Sequence, residues 1–206
     1  SLTGPEQGRW LRRLSVDIEN LRGALTWCGA APGRRETGLR LAAALGWFWS
    51  LSSREIEGVH WLEQFLAAAD FDADARLRAR ARFFAGFLSW YITGYQTAQP
   101  HLEQYVRHPE QGEIAFVALA RLLLCHISLA QGEITHAQAL ADMSEHIAVI
   151  RPAGDEWILA IMLGRAGSVA LQMADHGTAL GYYEEAYAVR LRGGLDHSYA
   201  GSLTNM

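Results

Sequence analysis

The chain has few of the features that mark several common classes of protein. Only two of its 206 residues are cysteines, Cys28 and Cys125, and they stand 97 positions apart inside apolar helical patterns. We expect both thiols to be reduced and buried, because no C-x-x-C or histidine-rich spacing predicts a metal or redox centre. Arginine, glutamate or histidine interrupts every apolar run, so no stretch reaches the ~18 to 20 residues of a membrane span. The sequence therefore predicts no metal, no cofactor and no membrane segment.

An excess of basic charge is also missing. The formal net charge is -4 and the isoelectric point is near 6.0. Binding to nucleic-acid phosphates requires a concentrated basic face, whereas the arginines at 76, 78, 80 and 82 scatter by about 100° per residue around a helix. We expect no direct nucleic-acid contact from this segment, and a cytoplasmic location. The opening Ser1-Leu2-Thr3-Gly4-Pro5 is not a signal peptide, and the chain is interpreted as a piece of a larger protein.

What the sequence does contain is a small residue that recurs every 39 to 42 positions, at Gly46, Gly86, Cys125 and Gly167. Each is followed twelve positions later by a second small residue, and these partners are Gly58, Ala98, Ala137 and Ala179. Repetition at this period indicates a solenoid, in which each supersecondary unit buries its apolar face against its neighbours.

Turn-forming residues divide the chain in the same register. They predict four helix pairs, spanning 35–52 with 54–69, 74–93 with 95–108, 113–131 with 133–150, and 155–174 with 177–192. A truncated fifth unit starts at about 196, and a connector helix precedes the pairs within 1–33. The expected fold is all-α, a right-handed superhelix over 34–206 of four units, at 35–69, 74–108, 113–150 and 155–192.

The small residues have a physical role in this scheme. Where two antiparallel helices cross closely, each needs a small side chain at the contact. Large residues recur four positions after the second small residue, at Leu62, Leu102 and Tyr183, and we expect them to fill the space between pairs. Ala141 is a weak match in the third unit.

This spacing resembles the tetratricopeptide repeat, although each unit is longer than the ~34 residues that are usual for that family. A second resemblance covers the amino-terminal segment, through Gly4-Pro5-Glu6-Gln7, Trp10-Leu11, Arg13-Leu14, Glu19-Asn20-Leu21-Arg22, Ala24-Leu25 and Trp27. It is similar to the segment that joins the ATPase core to the repeats in bacterial STAND-type transcriptional regulators of the AfsR-like and LuxR-like kinds.

This second resemblance implies a role for the repeats. They would sense an inducer or a protein partner and hold or release an upstream ATPase core through an intramolecular contact. The segment itself would contain neither the ATP site nor the DNA-binding domain, and the sequence has no G-x-x-x-x-G-K-[ST] motif.

In tetratricopeptide-like arrays the first helix of each pair lines a concave groove. Counting from the recurring small residue gives the candidate ligand- or peptide-binding residues Arg40, Trp47, Arg80, Phe83, Phe87, Trp90, Tyr91, His126 and Gln172. The aromatic members beside two arginines suit an apolar or stacked ligand, or a peptide with a carboxylate. The alternative, which we weigh more heavily, is that these rings pack between helices of adjacent units.

Two other functional classes stay open. A free-standing adaptor that binds peptides in the groove would have the same repeats without an ATPase. An α-helical enzyme is disfavoured, because no acid, base, nucleophile or metal-ligand set converges in the sequence, and we predict that this segment is not an enzyme.

Overall fold

A computed structural model describes residues 1–68, 74–92, 94–109 and 113–194. These residues form α-helices joined by turns, and none of them lies in a β-strand, which confirms the all-α class for this part of the chain. The helices divide into two compact bodies. The amino-terminal body comprises Leu2 and Gly8–Gly112, and the carboxy-terminal body comprises Ser1, Thr3–Gln7 and Glu113–Met206. The predicted fifth unit, from about 196, lies outside the described residues.

The amino-terminal body contains the predicted connector and the first two helix pairs. Its helices are α1 Gln7–Val16, α2 Ile18–Gly29, α3 Arg35–Ala44, α4 Gly46–Leu51, α5 Glu55–Ala67, α6 Ala75–Ile92 and α7 Tyr95–Val106. Helix α6 packs against α5 and α7, and α3 packs against α2, α5 and α6. Leu39, Phe65 and Leu88 lie fully inside this body.

The carboxy-terminal body contains the third and fourth predicted pairs. Its helices are α8 Ile114–Ala130, α9 His136–Ile150, α10 Glu156–Gln172 and α11 His176–Arg192. Helix α9 packs against α8 and α10, and α10 packs against α11. Side chains at three helix starts accept backbone hydrogen bonds: Thr135 from Gln138, Asp155 from Ile158 and Asp175 from Thr178. Such caps satisfy amide groups that the first turn of a helix leaves without an internal partner.

Two predicted helices are interrupted. The connector divides at Asp17, which has φ -88° and ψ 5°, and the helix predicted over 35–52 divides at Leu45, with φ -83° and ψ 4°. Backbone hydrogen bonds of Leu45 N–H to Leu41 and of Trp49 N–H to Leu45 continue across the second break. The breaks are therefore local changes of helix direction and not loops.

The second helix of each pair begins in the same register. The fourth residue of α5, α7, α9 and α11 is buried and small, and these residues are Gly58, Ala98, Ala139 and Ala179. Four positions later stands a large residue at Leu62, Leu102, Met143 and Tyr183, of which the first three are fully buried. The positions of the small and large residues are therefore fixed relative to the start of the second helix in each pair.

This register corrects the third predicted pair. Ala137 is exposed, whereas the Sγ of Cys125 lies 3.5 Å from the carbonyl oxygen of Ala139. The α8–α9 turn spans residues 131–135, two residues longer than the α10–α11 turn at 173–175. The partner of Cys125 in α9 is displaced by the same two positions, so the prediction that Cys125 pairs with Ala137 was wrong.

The repeated glycines allow large side chains to lie directly on the helix backbone. A Cβ atom at Gly46 would lie 2.3 Å from the ring of Phe84, and one at Gly58 would lie 2.6 Å from Trp49. At Gly167 the nearest atoms belong to the ring of Tyr183, 2.9 Å away. Gly86 alone of these four has a predicted small partner among its nearest atoms, with the Ala98 carbonyl oxygen 3.2 Å away. The glycines thus accommodate a neighbour's large side chain more often than a second small residue.

Candidate functional site

The aromatic residues predicted to line a groove fall into a buried set and a half-exposed set. Trp47, Phe83 and Phe87 are buried, with Phe83 and Phe87 almost fully covered. Trp47 makes edge contacts with Phe84 and Phe87 at ring distances of 5.4 and 5.1 Å. Phe83 stacks on Phe87 at 5.8 Å. These contacts favour the packing interpretation for the buried set, whose rings stabilise the contact between α4 and α6.

The half-exposed set continues this aromatic cluster to the surface. Tyr91 contacts the ring of Phe87 at 5.4 Å, and Trp90 contacts Tyr95 at 5.3 Å. Each pair is worth about 0.5–1.5 kcal/mol beyond the area that it buries. Tyr91 therefore has a ring orientation fixed by the core below it while part of its surface stays accessible.

Tyr91 lines an open hollow of about 640 Å³ in the amino-terminal body. The hollow lies where the α4–α5 turn and the first turns of α5 face the end of α6. Its lining residues are Ser53, Arg54, Glu55, Ile56, Glu57, His60, Tyr91 and Ile92. A volume of this size is within the range of ~300–1,000 Å³ that is common for ligand sites.

Two exposed aliphatic side chains give the hollow an apolar border. Ile56 of α5 is 72 % exposed and Ile92 at the end of α6 is 36 % exposed, and both line the hollow. In the turn that precedes α5, the Arg54 N–H donates to the Trp49 carbonyl oxygen over 2.8 Å. Ser53 in this turn adopts φ 55°, in the left-handed region. Ile56 thus lies in the first turn of α5, directly after this hydrogen-bonded turn.

The hollow also contains charged groups of both signs. Arg22 of α2 donates from Nε to Oε1 of Glu57 over 2.8 Å and from Nη2 to Oε2 over 2.7 Å. This guanidinium holds the pKa of Glu57 below its usual value. Burial raises the pKa of the Glu55 carboxyl. The Nε atom of Arg54 is buried and has no hydrogen-bond partner among the described residues.

The remaining predicted groove residues do not join this hollow. Arg40 is exposed and pairs with Glu36 on its own helix over 2.8 Å. Arg80 is exposed and lies over the ring of Phe84. Gln172 is exposed at the end of α10 in the carboxy-terminal body. Of the predicted residues, the structure thus brings only Tyr91 into the hollow.

His126 lies in the carboxy-terminal body and is largely buried on α8. Burial, with smaller effects of Arg165 and His136, lowers the pKa of its imidazole to about 4. The ring is therefore neutral at physiological pH, and it provides no positive charge for an anionic ligand.

Sequence reasoning missed most of the residues that line the hollow. It placed the candidate surface on the first helix of each pair, whereas Ser53–Glu57 and His60 come from the turn and from the second helix. One available signal was Ile56, which lies on the opposite face of α5 from the buried Gly58, Leu62 and Phe65. An aliphatic residue on the polar face of a helix indicates a candidate contact surface.

The same described ranges contain neither a metal-binding cluster nor a candidate membrane span. Within them, no group of three or more His, Cys, Asp or Glu side chains is placed to hold a metal ion. No helix in the same ranges combines the length and apolar character needed to cross a bilayer.

No protein-family model matches the chain, and comparisons with curated proteins and with solved structures gave no significant match.

Proposed function

We propose that this chain is a recognition segment that binds a short stretch of a partner protein in the hollow beside Tyr91. One observation carries the proposal: the exposed side chains of Ile56 and Ile92 line the same hollow as Tyr91, whose ring contacts the buried Phe87. Aliphatic groups beside an aromatic ring suit the apolar side chains of a bound peptide, and aromatic residues are frequent among those that contribute most to binding energy. Small inducers of similar apolar character would use the same contacts.

The proposed architecture is a tetratricopeptide-like array of four helix pairs. Its support is the common register of α5, α7, α9 and α11, each with a buried small residue at its fourth position. In such an array every pair depends on its neighbours for burial, and the exposed faces are free to bind partners.

The proposed context is a signal-transducing ATPase that regulates transcription in the bacterial cytoplasm. Support comes from the resemblance of residues 4–27 to the connector of STAND-type regulators. In the structure, α2 from this segment packs against α3 and α5, and Arg22 pairs with Glu57. A connector attached to the repeats in this way provides a route by which binding would bias an upstream core.

Selection of peptides from a random phage-displayed library tests the binding role. Peptides enriched on the wild-type chain are then measured against Ile56→Glu and against Val16→Glu. Val16 is 84 % exposed on α1 and does not line the hollow, so it is a matched surface control. We expect Ile56→Glu to weaken binding at least ~10-fold, a change of about 1.4 kcal/mol. Equal binding by both variants would exclude the hollow as the peptide-binding site.

The coding sequence upstream of Ser1 tests the ATPase context independently. An adjoining nucleotide-binding module with a G-x-x-x-x-G-K-[ST] motif supports the regulator. A start codon directly before Ser1 supports the free-standing adaptor instead, and leaves the binding role of the hollow unchanged.

A further inference from the structure

The residues before α1 form a short segment that belongs to the carboxy-terminal body. Thr3–Gln7 groups with α8–α11, although α1 follows it along the chain. The Gln7 N–H donates to the Gly4 carbonyl oxygen over 3.0 Å, and Gln7 is buried. We call Thr3–Gln7 the strap, because this hydrogen-bonded turn gives the segment a defined shape.

The strap lies beside one end of the α10–α11 pair. A cleft of about 460 Å³ separates them, and it is lined by Thr3, Gly4 and Pro5 of the strap, by residues 153–157 at the start of α10 and by Gly193 after α11. A Cβ atom at Gly194 would lie 3.0 Å from Pro5 Cβ and 3.6 Å from Pro5 Cα. The turn that follows α11 therefore packs directly on Pro5.

This contact covers the end of the pair without filling the space next to it. Pro5 itself is exposed, and the cleft between the strap and α10 is open. Segments that bury little surface open locally at a small part of the free energy of global unfolding. The strap is therefore placed to detach while the helices stay folded.

The end of the pair that faces the strap is held by two polar contacts. Arg192 Nε lies 3.5 Å from Glu156 Oε1, which joins the last turn of α11 to the first turn of α10. Asp155 caps α10 by accepting a hydrogen bond from the Ile158 N–H over 3.0 Å. Because Asp155 and Glu156 also line the cleft, a movement of this end changes the surface that the strap faces.

We infer that the strap is a releasable segment that holds the chain before α1 on the end of the α10–α11 pair, and that the strap and this end open together. The inference uses no residue of the hollow beside Tyr91. In the proposed regulator, a domain joined to Ser1 is held beside α10 and α11 while the strap is in place and is freed when the strap detaches. This last consequence alone rests on the proposed function.

Two glycine variants test the seating of the strap. Gly194 and Gly132 both have positive φ, at 61° and 76°, so alanine introduces similar backbone strain at each. A Cβ atom at Gly194 meets Pro5, whereas one at Gly132 meets nothing within 4 Å. We expect the Gln7 amide of Gly194→Ala to exchange with solvent at least ~10-fold faster than in wild type, and that of Gly132→Ala to be unchanged.

Arg192→Gln tests the coupling from the opposite side, since Arg192 does not line the cleft. If the strap and the end of the pair open together, loosening one must loosen the other by the same factor. We expect the Gln7 and Ile158 amides of Arg192→Gln to exchange about two- to fivefold faster, as for the loss of one exposed ion pair. Arg40→Gln is the control, because Arg40 and Arg192 are 66 % and 61 % exposed and each pairs with a glutamate.

Hydrogen exchange of the ¹⁵N-labelled chain, followed by NMR, measures all four variants. Equal Gln7 exchange in Gly194→Ala and Gly132→Ala overturns the seating of the strap. Faster Ile158 exchange in Arg192→Gln with Gln7 unchanged shows that the two parts open independently, and the coupling is then wrong. Neither result bears on peptide binding at the hollow beside Tyr91, so the proposed function is tested separately.

Discussion

Arg22 on α2 and Glu57 on α5 form a bidentate ion pair, with hydrogen bonds of 2.8 and 2.7 Å. Nη1 of the same guanidinium also contacts Glu19 over 2.6 Å, one turn earlier on α2. Arg22 is part of the Glu19-Asn20-Leu21-Arg22 sequence that resembles a regulator connector. One residue of the segment that was predicted to be a connector thus forms an ion pair with the first predicted helix pair.

Glu57→Gln should make the chain less stable at neutral pH, with a difference that disappears in acid. Arg22 lowers the pKa of Glu57, so the folded chain binds this proton less readily than the unfolded chain does. The stabilisation is complete above the unfolded pKa of about 4.3, and is lost as the pH falls through the lower folded value. Melting temperatures of both chains between neutral and acidic pH measure it.

Glu19→Gln is the control for this experiment, because Glu19 shares Arg22 but is 77 % exposed. We expect a smaller change in melting temperature, since exposed pairs contribute little. A Glu57→Gln difference that stays constant throughout the pH range would mean that the ion pair does not contribute to stability.

Phe87→Ala should cost about 3 to 5 kcal/mol in the free energy of unfolding, the usual loss for a buried ring. Phe87 contacts Trp47, Phe83 and Tyr91 inside the amino-terminal body. Trp90 lies three residues later in the same helix and is only partly buried, so Trp90→Ala should cost distinctly less. Urea denaturation of the two variants compares them directly, and an equal loss would place Trp90 in the core as well.

Gly86→Ala should destabilise the chain although alanine is the better helix former. The added Cβ would lie 2.7 Å from Leu102 Cγ and 3.2 Å from the Ala98 carbonyl oxygen. The Leu102 side chain and the backbone of α7 must then move away from α6, at a cost of about 1–3 kcal/mol.

Gly164 is the matched control for Gly86. It also lies within a long helix, but a Cβ atom there would meet nothing within 4 Å. Gly164→Ala should therefore stabilise by up to about 1 kcal/mol from helix propensity alone. Thermal unfolding of both variants checks the opposite signs, and stabilisation by Gly86→Ala would refute close packing at this position.

Most of the helices could be predicted from the sequence, because turn residues and apolar spacing are local signals of where a helix begins and ends. The start of α7 at Tyr95, for example, agrees with its predicted boundary, although Pro100 lies within this helix. The interruptions at Asp17 and Leu45 were not predicted from the helical spacing. The carbonyl oxygen of Ala42 near the second break accepts a hydrogen bond from the Trp49 indole, a contact that spacing alone does not reveal.

The candidate site was harder to predict from the sequence than the helices were. Tyr91 was predicted, but its neighbours in the hollow come from the turn before α5, where spacing along the first helix gives no information. The same limit explains why Phe83 and Phe87 were predicted to line a groove although they are buried. An aromatic stripe has the same spacing whether it faces a groove or a second helix. Only the packing of α4 onto α6 distinguishes the two environments.

Ala139→Leu and Ala137→Leu together test the corrected register of the third pair. Both residues lie in the first turn of α9, two positions apart and on different faces. Ala139 is fully buried beside Cys125, so a larger side chain must displace α8 and should cost about 1–3 kcal/mol. Ala137 is exposed, and Ala137→Leu should change the free energy of unfolding by less than about 0.5 kcal/mol. Chemical denaturation followed by circular dichroism measures both. If Ala137→Leu were the more damaging of the two, the twelve-residue spacing would hold in the third pair as in the others, and the two additional turn residues would have to be absorbed within α8.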